Sequence, residues 1–529
     1  MSAPAMDMPT AKTGMALIDE MAARFPDREA LVGGGERYSW VEFRDRTRAL
    51  AKGLHAAGVR RGDKVAILMG NRPEWLFSDF AIMALGGVMV AANTWATAHE
   101  LAYQLSHSEC RLLLMSSGFL KRDYTALIEE ARADTYDLSG LERIFCLGDD
   151  PPPDGMEAFE ELWQIGVDVP DSEIDAAQAA VKGEDVACLL YTSGSTALPK
   201  GVLLQHSALI ENMWSIGERL RLLPDDRLWL AVSLFWGLGC ENALFAVWTH
   251  GACIVLQSHF DAGEALRLIE AERCTVFYGT PNMTLALEEH PDCAGRDLSS
   301  LRTGATLGSP EQIRRLANLG VPEICQVYGL TETYGNCTAN DAHDSLALRT
   351  ETIGRPLPGN DIVIADMETG RLLPQGETGE IRLKGYVTPG YFKDPEKTAE
   401  SLDSSGYFCT GDLGFFDADG YLYFRGRTKE LIKSGGINVS PAEIEEVLIG
   451  HSAVELAYVI GLKDPRRDEI VAAVIVAREK VEAETLLALC CETLAVYKIP
   501  RRIKFVTAAE LPLTSTGKLQ KNRLKNLFD

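Results

Sequence analysis

Apolar runs closed by glycine, each joined to a stretch of helical period, recur along much of this chain, and that rhythm restricts its fold more than any other feature. YSWVEFRDRTRALAKGLHAAGV (38–59) places Phe43, Leu50, Leu54 and Val59 near one face of a helix. KVAILMG (64–70) is a short buried-strand run, and EWLFSDFAIMALGGVMVAAN (74–93) repeats helix then strand. After the loop GDDPPPDG (148–155) and an acidic, poorly periodic stretch to about 185 that reads as a connection between subdomains, the pattern resumes. Strands are expected near 187–191, 228–233, 252–256 and 275–278. Continuous apolar runs alternating with helices mean parallel strands covered on both faces. The fold class is therefore α/β, a large N-terminal domain of βαβ-type parallel sheets. Around 350–425 segments shorten and turns multiply (PLPG, METG, PQGETGE, DADG), which reads as a small β-barrel-like unit. Residues 430–529 read as a compact α+β domain.

The charge balance excludes one class of partner. With 52 Lys and Arg against 76 Asp and Glu, the net charge is -24 and the pI about 4.9, so nucleic acid is not expected. An acidic surface also repels small anions, so any phosphate site must be built locally. Twelve cysteines show no metal-like pairing, and Cys490 and Cys491 are adjacent. The start lacks a charged region followed by an apolar run, and 77–92 is interrupted by Asp79 and two glycines, too short and broken to span a bilayer. These features lead to the expectation of a cytoplasmic protein with reduced thiols.

YTSGSTALPKG (191–201) puts small hydroxyl residues, glycine and one lysine directly after a buried-strand run. Such loops cradle phosphate through backbone N–H groups, hydroxyls and a lysine charge, and they also occur as polar surface turns. The spacing is not that of a P-loop, because Lys200 follows Pro199 and is not followed by Ser or Thr.

The string resembles the phosphate loop of the adenylate-forming superfamily, which includes acyl-CoA synthetases, luciferases and peptide-synthetase adenylation domains, with one departure: Ala197 stands where glycine is usual. Three further segments, in the family's order, extend the resemblance over most of the chain: VYGLTETYG (327–335), FCTGDLG (408–414) with RGRTKELIKSGGINVSPAEIEEVL (425–448), and LPLTSTGKLQKNRL (511–524). The resemblance implies a large domain 1–428, containing the β-rich subdomain, and a small mobile domain 429–529 with its hinge at Lys429. It implies that Thr192, Ser193, Gly194, Ser195, Thr196 and Lys200 hold the ATP phosphates. Tyr328 would stack on adenine beside Gly329, Thr331 would contact the α-phosphate and Glu332 would hold Mg²⁺. Asp412 would grip the ribose hydroxyls with help from Arg427. Lys518 would be the catalytic lysine, acting with Thr192 and Glu332. Gly304 and Ala305 would form a floor near the adenylate, and Phe235, Trp236, Gly237, Gly304 and Gly329 would line the acyl pocket. Ser434, Gly435 and Gly436 would admit the acceptor arm in the second half-reaction.

The activity so implied is ATP-dependent ligation of a carboxylic acid to coenzyme A through an acyl-adenylate, with ATP, Mg²⁺, coenzyme A and the acid as small-molecule partners. Among the pocket candidates only Arg302 and Glu241 are charged, and the aspartate that binds an α-amino group in peptide synthetases is not apparent, so a fatty, alicyclic or aryl acid is expected. From Lys498 onward eight Lys and Arg stand against two Asp and Glu, a local net of +6 that either anchors a nucleotide tail or solubilises a helix face. The alternatives are a stand-alone enzyme that loads a carrier protein and a silent nucleotide-binding relative; the presence of Glu332 and Lys518 weighs against the second. Pro512, Gly517 and Lys518 also resemble the pattern at which bacterial relatives are acetylated, implying a protein acetyltransferase as a partner. Oligomeric state is left open.

Overall fold

The computed structural model describes residues 6–528 apart from 149–150, 193–197, 435–436, 465–467, 495–497 and 514–518. The helix expected across 38–59 runs Trp40–Ala56. It starts there because Ser39 and Glu42 form a reciprocal capping box, which satisfies two otherwise orphaned N–H groups. Phe43, Leu50, Leu54 and Val59 are all fully buried. The next helix, Pro73–Ala84, is buried at every residue except Glu74 in its first turn, as expected of a largely apolar helix covered on nearly all sides. Phe43 and Phe80 lie against Trp248 in the core, with ring centroids 4.7 and 5.1 Å from it; such pairs add about 0.5–1.5 kcal/mol each beyond the area they bury.

Two compact units divide the chain, residues 1–361 with 384–406 and residues 362–383 with 407–529. The first holds two large sheets. One has nine strands, with Glu29–Gly33, Cys253–Leu256, Arg227–Leu230, Val276–Tyr278, Thr303–Thr306 and Glu323–Tyr328 parallel in that spatial order and antiparallel strands at both edges. The other has seven, parallel except where Val186–Thr192 pairs antiparallel with Lys200–Gln205 at one edge. The expected strands therefore fall within a residue or a few of their places. The acidic stretch to 185, read as a connection between subdomains, instead packs within the first unit: it adds the short edge strand Glu157–Ala158 and the helix Asp171–Ala180, whose Ile174 is fully buried in the main core.

Asp361–Ala365, Gly379–Lys384, Phe408–Phe416 and Leu422–Arg427 form a four-stranded sheet in the stretch 350–425 expected to be β-rich; it groups almost wholly with the second unit, whereas the boundary expected at 428 assigned it to the large domain. A five-stranded sheet built on Val454–Asp464 and Asp468–Ala477 follows, with the helices Pro441–Ile449 and Ala483–Thr493. Its core gathers Ile432, Val439, Ile444, Leu448, Val459 and Ile475. None of the twelve cysteines, all of them among the described residues, forms a disulfide. No helix among the described residues is long and apolar enough to cross a membrane.

Candidate active site

The antiparallel pair Val186–Thr192 and Lys200–Gln205 fixes the mouth of the serine-rich loop, because Thr192 and Lys200 are directly opposite each other. Ser193, Gly194, Ser195, Thr196 and Ala197 lie outside the described residues. Tyr191 anchors the strand end: its hydroxyl is 2.8 Å from His107 Nδ1. Burial pushes that phenol's pKa up and, with Lys393 nearby, pulls the His107 imidazole below its usual value. Tyr103 donates to the Pro199 carbonyl at 2.9 Å, holding the far side of the loop.

Lys200 brings in a segment distant in sequence. Its ammonium lies 5.2 Å from the centroid of the Tyr391 ring. Backbone hydrogen bonds from Leu203 to Gly390 and from Phe392 to Gly201 hold this segment alongside the strand. The Tyr391 hydroxyl donates to Glu332 Oε1 at 2.9 Å, and the Thr388 amide donates to the Glu332 carbonyl at 2.7 Å. Burial first, and the neighbouring Glu332 carboxylate second, raise the Tyr391 pKa, so the phenol stays a donor. A cation, an aromatic face and a carboxylate thus adjoin the mouth of the loop.

Glu332 sits in a 3₁₀ turn, Thr331–Thr333, just after the strand Glu323–Tyr328. Thr333 closes the turn, its hydroxyl accepting from the Leu330 amide at 2.9 Å. Tyr334 then adopts φ +55°, a left-handed conformation rarely taken by an aromatic residue. Its ring is buried and its hydroxyl accepts from the Gln205 amide at 3.2 Å. The surroundings therefore impose a strained loop, a trait concentrated at functional sites. Tyr328 is buried at the strand end, with Gly329 and Thr331 following.

Gly304 and Ala305 lie on the central strand Thr303–Thr306, beside Phe277 and Tyr278. A Cβ at Gly304 would fall 1.9 Å from the Phe277 carbonyl oxygen, so only glycine fits. Phe235 is buried, and Trp236 is partly buried against the main core, its ring 5.5 Å from that of Phe235. The Trp236 carbonyl accepts from the amides of Gly239 and Cys240, opening a π-helical turn at Leu238–Ala243. Such turns often mark functional positions. Glu241, in this turn, is 1% exposed, and neither carboxylate oxygen has a hydrogen-bond partner among the described residues. Burial, and then the Glu332 charge, push its carboxyl well above the usual range.

In the second unit, Asp412 and Arg427 are register partners on adjacent strands, and Arg427 Nε lies 3.1 Å from Asp412 Oδ1. Asp412 is 2% exposed, and the pairing with Arg427 is one of the contacts that offset the burial of its charge. Lys429 lies in the 3₁₀ turn Thr428–Glu430, and Ser434 ends the strand Ile432–Ser434. Gly435, Gly436 and the predicted catalytic Lys518 lie outside the described residues. Leu513 and Leu519 pair as an antiparallel bridge. Lys521 lies 3.0 Å from both Glu430 and Glu445, fastening the C-terminal tail to its own unit.

Sequence reasoning missed Tyr391 altogether and noted Glu241 only as a charge. Tyr391 lies 59 residues from Glu332 in an irregular segment, and no local pattern marks the contact.

The model of the AMP-binding enzyme family matches residues 18–392, and that of the AMP-binding enzyme C-terminal domain matches 443–518. The chain is 34% identical over 97% of its length, and 90% of the other's, to the acyl-CoA ligase sidI of Aspergillus fumigatus. It is 32% identical over 95% of its length, and 86% of the other's, to the medium-chain acyl-CoA ligase ACSF2, mitochondrial, of Danio rerio. Among solved structures, the anthranilate CoA ligase AuaEII in complex with anthranoyl-AMP superposes with a TM-score of 0.83 at 28% identity, covering 99% of this chain and 98% of that one. Two domain models in family order, together with full-length relatives of this kind, make the chain a member of the AMP-binding enzymes, in their acyl-CoA synthetase branch.

Proposed function

We propose that this enzyme activates a largely apolar carboxylic acid, fatty, alicyclic or aryl, as its adenylate and transfers the acyl group to coenzyme A. The observation that carries the reading is the grouping of Lys200, Tyr391 and Glu332 at the mouth of the Thr192–Lys200 loop. A carboxylate is a poor acyl donor because its leaving group would be oxide. Attack of one carboxylate oxygen on the α-phosphorus of ATP forms a mixed anhydride and releases pyrophosphate. Attack of the coenzyme A sulfur on the acyl carbon then forms the thioester and releases AMP. Neither step asks the protein for covalent chemistry; it must orient the reactants and offset charge.

Lys200 and the loop from Thr192 suit the terminal phosphates. A single carboxylate steadied by a phenol hydroxyl suits a hard cation that shares phosphate oxygens, and among the described residues no set of three protein ligands converges to hold a metal alone. Glu332 is thus the residue to hold Mg²⁺, which when bound would neutralise charge on the triphosphate. Following the resemblance, Tyr328 faces adenine, Thr331 takes the α-phosphate, Asp412 and Arg427 take the ribose hydroxyls, Lys518 offsets charge at the reacting carboxylate, and rotation about Lys429 exchanges Lys518 for the Ser434–Gly436 segment. The enzyme acts on free small-molecule acids in this reading.

The test is pyrophosphate release with ATP and Mg²⁺ over fatty, alicyclic and aryl acids, with and without coenzyme A. Coenzyme A-dependent turnover on one class is expected. Release from no acid in the panel, with ATP still bound, would refute the proposal.

A further inference from the structure

Glu241 is the most anomalous group beside the Trp236 segment. It is 1% exposed, and among the described residues neither oxygen has a donor. Buried polar groups are otherwise almost always paired, because an unpaired one forfeits its hydration without return. The backbone makes room for this carboxyl. A Cβ on Gly237 would fall 2.8 Å from Glu241 Oε2, and one on Gly335 would fall 3.4 Å from it. Glycine thus stands on each side: Gly237 next to Trp236, and Gly335 at the end of the loop that carries Glu332. The turn that presents Glu241 is π-helical rather than α-helical. Neighbouring Asn242, by contrast, is engaged, accepting from the Tyr278 hydroxyl at 3.1 Å.

We infer that Glu241 is a specificity-determining residue whose missing partner is a hydrogen-bond donor, a hydroxyl or an amine, carried on the apolar skeleton of the acid substrate. The inference rests on the ligase reading above and refines its substrate class. On that reading, an acyl chain placed along Trp236 and Gly237 would pass a buried carboxyl that has no donor among the described residues. An acid with a hydroxyl or amine at that point satisfies it, whereas an unsubstituted acid leaves the carboxyl unpaired. Sites built to hydrogen-bond a substrate group reject the analogue lacking it far more strongly than apolar pockets reject an added methylene.

The experiment compares kcat/KM for thioester formation across matched acids, each skeleton offered unsubstituted, hydroxylated and aminated at the same position. For at least one skeleton the donor-bearing acid is expected to be preferred by about 10- to 100-fold. The hydroxyl and amine arms identify which donor is used. Glu241→Leu should abolish or invert the preference. Glu241→Gln, nearly isosteric, should retain preference for a hydroxyl and lose it for an ammonium, and it supplies the variant comparison should the leucine variant not fold. Turnover of unsubstituted acids with no matched pair differing by more than about threefold, or a preference unchanged in both variants, would overturn the inference and leave the ligase reading standing. Pyrophosphate release from no acid would overturn both.

Discussion

Replacing Tyr391 with phenylalanine removes one oxygen and leaves the ring beneath Lys200. What is lost is the 2.9 Å hydrogen bond to Glu332 Oε1; what stays is the aromatic face 5.2 Å from the Lys200 ammonium. A hydrogen bond to a charged acceptor contributes about 1.5–3 kcal/mol. If Glu332 needs that bond to hold its position toward metal-bound ATP, Tyr391→Phe lowers kcat/KM for adenylation by about 10- to 150-fold. On the proposed sequence of steps the loss would fall in the first half-reaction, because pyrophosphate has departed before the thiol attacks. Acid-dependent exchange of labelled pyrophosphate into ATP, measured against Mg²⁺ concentration, should show the deficit and a raised Mg²⁺ requirement. Thioester formation from preformed acyl-adenylate should proceed at the wild-type rate. Tyr391→Ala also removes the face under Lys200 and should be worse in the same assay. A fall of less than about threefold for Tyr391→Phe, or an equal fall in both half-reactions, would refute a positioning role for this tyrosine.

Asp79 is buried, its carboxyl oxygens have no hydrogen-bond partner among the described residues, and burial pushes its pKa from 3.8 up to about 8. Between those values the folded state holds a proton that the unfolded chain has released, so stability falls by up to ~1.4 kcal/mol per pH unit as pH rises through this window. Asp79→Asn should remove that slope, matching the wild type near pH 4 and exceeding it at pH 8 in chemical denaturation; parallel profiles would refute the assignment. Gly304→Ala drives a methyl into the Phe277 carbonyl and should destabilise the first unit by about 3 kcal/mol or more, read as a lowered denaturation midpoint. Lys521→Met strands Glu445, whose side chain is 16% exposed, and should cost about 1–3 kcal/mol. Its check is earlier urea unfolding followed by a tryptophan-independent signal such as far-UV dichroism, with no change expected if the pairs with Glu430 and Glu445 contribute nothing.

How far the sequence could be read depended on the range over which each feature is encoded. The helix Trp40–Ala56 was legible because its cap and its apolar face both lie within its own residues. The central strands were legible as runs with no polar alternation, since a strand covered on both faces has no wet side to mark. Lys200 and Glu332 could be named because each sits in a compact motif beside a strand end. Their proximity could not, since it depends on the 388–392 segment bonding alongside Lys200–Gln205, a contact between stretches nearly two hundred residues apart. Likewise Asp412 and Arg427 each lie in a recognisable segment, but their pairing is a matter of strand register, which shifts within that hairpin between Leu413 and Gly414.

Asp79 and Glu241, buried carboxyls without a partner among the described residues, show where local rules stop being informative. In Pro73–Ala84 every neighbour of Asp79 is buried, so the helix is locally consistent except at that one position. Glu241 breaks the same rule, but in a different setting. Its turn departs from α-helical geometry, glycines flank its carboxyl, and the strained Thr331–Tyr334 loop with Glu332 lies close by. Sequences that specify one structure tend to violate local consistency where function demands it. At Glu241 three departures coincide around one acceptor, which is the ground for assigning it a ligand. At Asp79 the departure stands alone, and the consequence to look for is the pH dependence of stability.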